Sequence, residues 1–223
     1  MTSDKIASAD APAWHGAARR VGGYVLAPRR LSSAALVFYA VALALLIGFG
    51  SAYWAVSGDY PFGKVRAGVW QGAPRVGSRE ADPYTRAVVA RNAEIPLAVG
   101  EGLTLTATRD EAGRALDVGC SYRIGSTTPQ ARYWTITLYD DEGRPASAGL
   151  ERSGFTSAEV LREADGRFTI HLSREPMPGN WLRMPEGGRP GLVLRLYDTP
   201  VAAGTAALDT RSLPTIERLD CAS

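Results

Sequence analysis

The sequence predicts a mainly β protein: an antiparallel β-sandwich or jelly-roll-like domain with one short helix, preceded by a single N-terminal transmembrane helix. Three observations predict it. An uncharged apolar run extends from Leu31 to Val56; as a helix it is about 39 Å long, enough to cross a hydrocarbon core of roughly 30 Å. Beyond it the apolar periodicity changes from helical to alternating and stays so, the pattern of strands with one buried face. Turn-forming clusters of Gly, Asp and Pro punctuate that alternation.

The flanks of the apolar run orient it. Arg19, Arg20, Arg29 and Arg30 precede it, whereas Lys64 and Arg66 follow later and are fewer. Basic flanks stay in the cytoplasm. Residues 1–30 are therefore expected as a cytoplasmic tail, 31–56 as the span, and the remainder outside. Tyr53 and Trp54 suit the outer interfacial belt, and Tyr24 the inner side. A cleaved signal peptide would have an apolar region of roughly 7 to 15 residues, shorter than this one. The tail carries +3, and the whole chain carries +2, so the outer part is near −1. No basic stripe remains for nucleic acid, and the tail suits anionic headgroups. The expected partner of residues 31–56 is the lipid bilayer.

The 167 residues that follow suffice for one domain with its own core. Residues 57–78, rich in Gly and charge with little periodicity, are expected as a linker, and 79–223 as the β domain. A helix opens the domain: Asp82 is an N-cap with Pro83 at the first helical position, and Tyr84, Ala87, Val88 and Arg91 keep helical spacing before Pro96. Strands are expected over Leu103–Thr108, Ala115–Ile124, Tyr133–Tyr139, Arg167–Ser173 and Gly191–Tyr197. Asp110–Gly113, Asp140–Gly143, Asp165–Gly166 and Gly187–Gly188 are their turns. Thr156–Arg162 suits a short helix as readily as a strand. Alternation assigns Trp134, Ile136, Leu138, Phe168, Ile170, Leu172, Leu192, Leu194 and Leu196 to the core. It leaves Tyr133, Thr135, Thr137, Tyr139, Thr169, His171, Val193, Arg195 and Tyr197 on the polar faces.

Chemistry is sparse in the pattern. Cys120 and Cys221 both fall outside the membrane, where a disulfide is favoured over two free thiols. His15 and His171 lie on opposite sides of the membrane, so no metal set is expected. Gly149–Gly154 lacks the spacing of a nucleophile elbow, and the glycine pairs lack the strand and helix of a phosphate loop. His171 can be drawn into a triad with Asp198 or Asp165, but a histidine on a solvated face suits the position as well. Carboxylate pairs for glycoside hydrolysis are available among Asp140, Asp141, Glu142, Glu151, Glu159 and Glu163, although Asp140–Glu142 is what a tight turn uses anyway. Trp181, in a Pro- and Gly-rich loop, either plugs the sandwich or faces a ligand, the plug being favoured. Arg195 has a fork suited to a ligand carboxylate, or to Asp198 or Glu151.

Asp82-Pro83-Tyr84 with Arg86-Ala87, Tyr133-Trp134 running into Leu138-Tyr139-Asp140, Asn180-Trp181-Leu182, Leu194-Arg195-Leu196-Tyr197, and Leu213-Pro214-Thr215-Ile216 ahead of Cys221 together resemble the DUF1214 family. The resemblance covers about residues 65 to 223. It implies a β-rich, jelly-roll-like domain of the bacterial envelope and a family of unknown function. The DUF1254 half that longer proteins carry is absent from this stretch. Localisation is then expected at the bacterial inner membrane with a periplasmic C-terminal domain.

Two functional readings follow. One is a non-catalytic module that binds an envelope protein or glycan through Tyr133, Tyr139, His171, Trp181, Arg195 and Tyr197. The other is a hydrolase- or isomerase-like enzyme with a site inside the sandwich and His171 or a carboxylate as base. The first is favoured, and no catalytic residue or cofactor is assigned. A periplasm-dependent reporter fused after Ser223 is expected to be active; activity of a cytoplasm-dependent reporter there would overturn the orientation.

Overall fold

A computed structural model describes residues 32–58, 63–92, 94–126, 129–146, 152–202 and 209–221. The tail expected over residues 1–30 lies outside the described residues. The apolar run forms one helix of 25 residues, α1 (Ser33–Ser57), with no buried residue along it. It is long and apolar enough to cross a membrane. Inside it the hydroxyls of Ser51 and Ser57 donate to the carbonyls of Gly48 and Tyr53.

Among the described residues ten strands form two sheets. The first is antiparallel throughout, in the order β1 (Val65–Ala67), β2 (Trp70–Gly72), β3 (Gly102–Ala107), β9 (Gly191–Tyr197), β5 (Tyr133–Tyr139), β6 (Gly154–Thr156). The second runs β10 (Thr215–Cys221), β4 (Cys120–Ser126), β7 (Phe168–Ser173), β8 (Asn180–Arg183). Its last pair, β7 with β8, is parallel, which departs from the wholly antiparallel expectation.

All nine residues assigned to the core by alternation are buried, none more than 2% exposed. Trp134 of β5 stacks on Phe168 of β7 with ring centroids 4.7 Å apart. The buried faces of the two sheets therefore meet, and their other faces point to opposite sides. Truncating Trp134 or Phe168 to Ala would cost about 3–5 kcal/mol, the transfer loss plus the cavity.

The helix α2 (Pro83–Arg91) forms as its sequence dictates. The Asp82 carboxylate accepts the N–H groups of Tyr84 and Thr85, both at 3.0 Å, with Pro83 opening the first turn. Thr85 and Val88 are its buried side chains.

Four segments differ from expectation. Residues 58–78 are not all connector: β1 and β2 make a hairpin on the first sheet, and Trp70 is 1% exposed, its indole N–H donating to the Pro214 carbonyl at 2.6 Å. Three-residue strands are too short to show a period. The strand expected from Ala115 begins only at Cys120, because Asp117 turns the chain by accepting from Gly119 N at 2.7 Å while its own N–H donates to the Tyr122 hydroxyl at 2.8 Å. Thr156–Arg162 supplies the end of β6 and then a turn rather than a helix. Trp181 lies in a strand, not a loop, and the plug is its neighbour Leu182, fully buried, while Trp181 is half-buried on the outer side.

Two tethers hold β10, whose outer positions are mostly exposed. Cys221 is disulfide-bonded to Cys120, directly across from it on β4. With a sequence separation of 101 residues, the crosslink contributes up to about 4.7 kcal/mol on the chain-entropy account. Asp110, 1% exposed, accepts from Arg114 N at 2.9 Å and Arg114 Nε at 3.0 Å. Arg218 Nε of β10 lies 3.0 Å from the same carboxylate but off the direction of its N–H, an ion pair rather than a directed hydrogen bond.

Burial alone would raise the Asp110 pKa, yet the Arg114 amide and guanidinium, with Arg218, together hold it below the usual carboxylate value. A depressed folded pKa gives stability that is present above the unfolded value, about 3.9, and lost as pH falls through the folded one. The urea midpoint is therefore expected to fall below about pH 4, and Asp110→Asn to lower it at neutral pH while flattening that acid limb. An unchanged acid limb in the variant would refute the assignment.

Candidate functional site

The outer face of the six-stranded sheet is built by register. Tyr133 of β5 stands opposite Tyr197 of β9. Next come Thr156, Thr135, Arg195 and Thr104 in one cross-strand row, then Gly154, Thr137, Val193, Thr106 and Gln71 in another. Tyr139 opposite Gly191 closes the face. Each of these residues alternates with one in the core, so the buried leucines of β9 also place Arg195 and Tyr197 outward.

Geometry ties the aromatic groups together. The rings of Tyr133 and Tyr197 are 5.9 Å apart and tilted by 49°, within the range of a favourable aromatic pair. Arg195 Nη2 donates to the Tyr139 hydroxyl at 3.2 Å, and its guanidinium carbon lies 5.8 Å from that ring's centre. Tyr133 is 39% exposed; Tyr139, Arg195 and Tyr197 are half-buried. Arg195 stands in a field of threonine hydroxyls, and the row that ends at Gln71 continues to a second, exposed cation, Arg66 of β1. Such a face offers apolar ring faces, many short donors and acceptors, and one fixed cation.

The other two candidates are elsewhere. His171 of β7 and Trp181 of β8 are register partners on the outer face of the four-stranded sheet, with Arg123 of β4 on the other side of His171. The six residues expected to share one surface thus divide between opposite faces, four and two. Trp181 donates its indole N–H to Ser173 Oγ at 2.9 Å. His171 Nδ1 is buried and has no hydrogen-bond partner among the described residues. The triad acids drawn from sequence are engaged away from it: Asp165 pairs with Arg167 at 2.6 Å and Asp198 with Arg132 at 3.6 Å. Arg195 makes no ion pair with Asp198, which pairs with Arg132 instead, and Glu151 lies outside the described residues.

Of the carboxylates singled out for glycoside chemistry, Asp140 and Glu159 serve turns. Asp140 accepts from the amides of Glu142 and Arg144 at 3.0 and 2.8 Å, and the Arg144 amide above all holds its pKa below the ordinary value. Glu159 is lowered in the same sense, first by the Thr156 hydroxyl and then by Arg152. A general acid needs the opposite shift. The open concavity of about 350 Å³ beside β4 and β7 is lined by Arg123, Glu163, Arg167 and Glu217. Those charges are paired with one another, Arg123 with Glu217 and Arg167 with Glu163.

Buried polar groups belong to the scaffold. Asn180 accepts from Leu161 N at 2.7 Å and donates to the carbonyls of Leu161 and Thr169, both at 2.8 Å, which pins the 161 turn to β7 and β8. Thr104, Thr106 and Thr156 were missed as members of the outer face. The first two were legible, since they alternate with Leu103, Leu105 and Ala107; Thr156 needed the register of β6.

This is a two-sheet β domain with one aromatic, hydroxyl-rich outer face. Residues 101–201 match the family model described as "Protein of unknown function (DUF1214)". The crystal structure of the VPA0106 protein from Vibrio parahaemolyticus is similar, at a TM-score of 0.53 and 18% identity over 85% of this chain and 46% of that one. An uncharacterized protein from Burkholderia cenocepacia is 20% identical over 82% of this chain and 53% of its own, at a TM-score of 0.40. The chain thus spans about half the length of these structures. No curated protein matches it.

A double-mutant cycle between Tyr133→Ala and Tyr197→Ala is expected to show coupling of about 0.5–1.5 kcal/mol in urea unfolding. The same cycle between Tyr197 and His171, on opposite faces, should be additive to within about 0.5 kcal/mol. Coupling in the second pair would contradict the division of the candidates.

Proposed function

We propose that this protein is a single-pass protein of the bacterial inner membrane whose periplasmic β domain is a non-catalytic binding module. Its ligand on this reading is an envelope glycan that carries an acidic group, held on the outer face of the six-stranded sheet. The observation that supports it most is Tyr133, Tyr197, Arg195 and Tyr139 standing on one flat face among Thr104, Thr106, Thr135, Thr137 and Thr156. Tyrosine rings offer apolar faces to the C–H side of a sugar ring. Threonine hydroxyls donate and accept, as sugar hydroxyls do. The Arg195 fork matches a carboxylate, and holding it against Tyr139 limits the freedom lost on binding.

The placement outside the cytoplasm is supported by α1, by the charges that precede it and by the disulfide, which persists in oxidising compartments. A flat protein surface is the competing ligand for the same face and is separated by experiment. Thermal unfolding of the detergent-solubilised chain with acidic and neutral envelope glycans should show an acidic glycan raising the Tm. The shift should vanish in Tyr197→Ala and Arg195→Ala. No shift with any glycan, or an equal shift in both variants, would refute the reading and direct the search to a protein partner.

A further inference from the structure

The outer end of α1 and the start of the β domain carry a second feature that the sheet face does not explain. Tyr53 and Ser57 belong to the same compact unit as the domain. Arg91, at the end of α2, donates to Ser57 Oγ at 2.7 Å, and its guanidinium lies 4.8 Å from the centre of the Tyr53 ring. Tyr84, Ala87 and Arg91 lie at i, i+3 and i+7 and share one helical stripe. Immediately after Arg91 the chain exposes apolar side chains: Ile95 is 96% exposed and Val99 49%, with Tyr84 at 47% on the stripe. Their carrier is ordered locally, since Glu94 N donates to Val89 O and Glu101 N to Ala98 O, and Gly100 takes φ +94° to close the turn behind Val99.

Single exposed apolar residues are ordinary; what matters is where these stand. Ile95 is four residues from a side chain that grips the last turn of α1, so its Cα is within about 14 Å of Arg91. Trp54, 81% exposed, and Tyr53 lie on that same last part of the helix, the place of an interfacial aromatic belt. Only Gly58 to Lys64 separate α1 from β1, a reach of at most about 25 Å.

We propose that Ile95, Val99 and Tyr84, which flank Arg91 in the sequence, form a shallow membrane-docking surface that lays the β domain against the headgroup layer of the bilayer its own anchor enters. The inference rests on reading α1 as a transmembrane span. The occupant is the lipid interface rather than an anionic surface. From Arg79 to Glu101 the chain carries Arg79, Arg86 and Arg91 against Glu80, Asp82, Glu94 and Glu101, so net attraction to acidic lipid is lacking and the contact is apolar. Docking is therefore insensitive to salt and persists on zwitterionic lipid. It fixes the domain's attitude to the membrane, which the span alone would not.

The test uses the full chain in phosphatidylcholine vesicles, with an environment-sensitive fluorophore on Ile95→Cys and, as a reference, on Thr106→Cys of the outer sheet face. The native cysteines are bonded to each other and leave these sites to the label. The Ile95 label should be blue-shifted relative to the Thr106 label and quenched by lipid bearing a headgroup-level nitroxide, at low and high salt alike. A blue shift without nitroxide quenching means that protein covers the site and overturns the proposal, as does a shift that grows with protein-to-lipid ratio, the mark of a second copy. Vesicle-bound chain with a water-exposed Ile95 label overturns docking alone. Failure to co-float with vesicles overturns the span and the docking together.

Discussion

The pairing of β9 on both of its edges is the constraint from which the two faces of the domain follow. Leu196 lies opposite Leu103 and Trp134, Leu194 opposite Leu105 and Ile136, and Leu192 opposite Ala107 and Leu138. A slip of one residue would carry Val193, Arg195 and Tyr197 into the core and three leucines out of it. Large-to-small changes at buried leucines already cost about 2–5 kcal/mol each, and burying Arg195 without a partner would add to that. The register is thus held by the core, and the chemistry of the outer face is held by the register. Arg195 and the tyrosines need no loop to position them.

The same logic governs β10, which buries little. Its alignment on β4 depends on Ile216, fully buried, on the Cys120–Cys221 bond, and on Arg218 at the Asp110 carboxylate. The loss of a single partner would leave Asp110 with less than its buried charge requires. β10 therefore has a covalent and an ionic clip where β9 has apolar area. Asp82 caps α2, and Arg91 at the far end of that helix stands beside Tyr53.

Much of this was legible in the sequence wherever alternation ran for six or seven residues. The nine core residues, the outward side of β5 and β9, and the capped helix all came from periodicity and local hydrogen-bond chemistry. The hairpin of β1 and β2 was not legible, because three-residue strands leave only Ala67 and Trp70 as buried marks. Thr215–Cys221 was not assigned as a strand, since only Ile216 of its seven residues is buried. Asn180–Arg183 sits among prolines and glycines that signal a loop, and only its parallel pairing with β7 shows why Leu182 is inside and Trp181 half outside. The candidate site was legible one strand at a time. Which sheet each strand joins is a long-range fact, and for that reason His171 and Trp181 were grouped with side chains on the opposite face.

The central claim is that the outer face of the six-stranded sheet is the functional surface and that of the four-stranded sheet is not. Oxidative side-chain footprinting of the chain in native membranes, compared with the purified chain in detergent, tests it most directly. The account predicts protection of Tyr133 and Tyr197 in the membranes, with Trp181 labelled alike in both. Equal labelling of the tyrosines, or protection of Trp181 in their place, would contradict it.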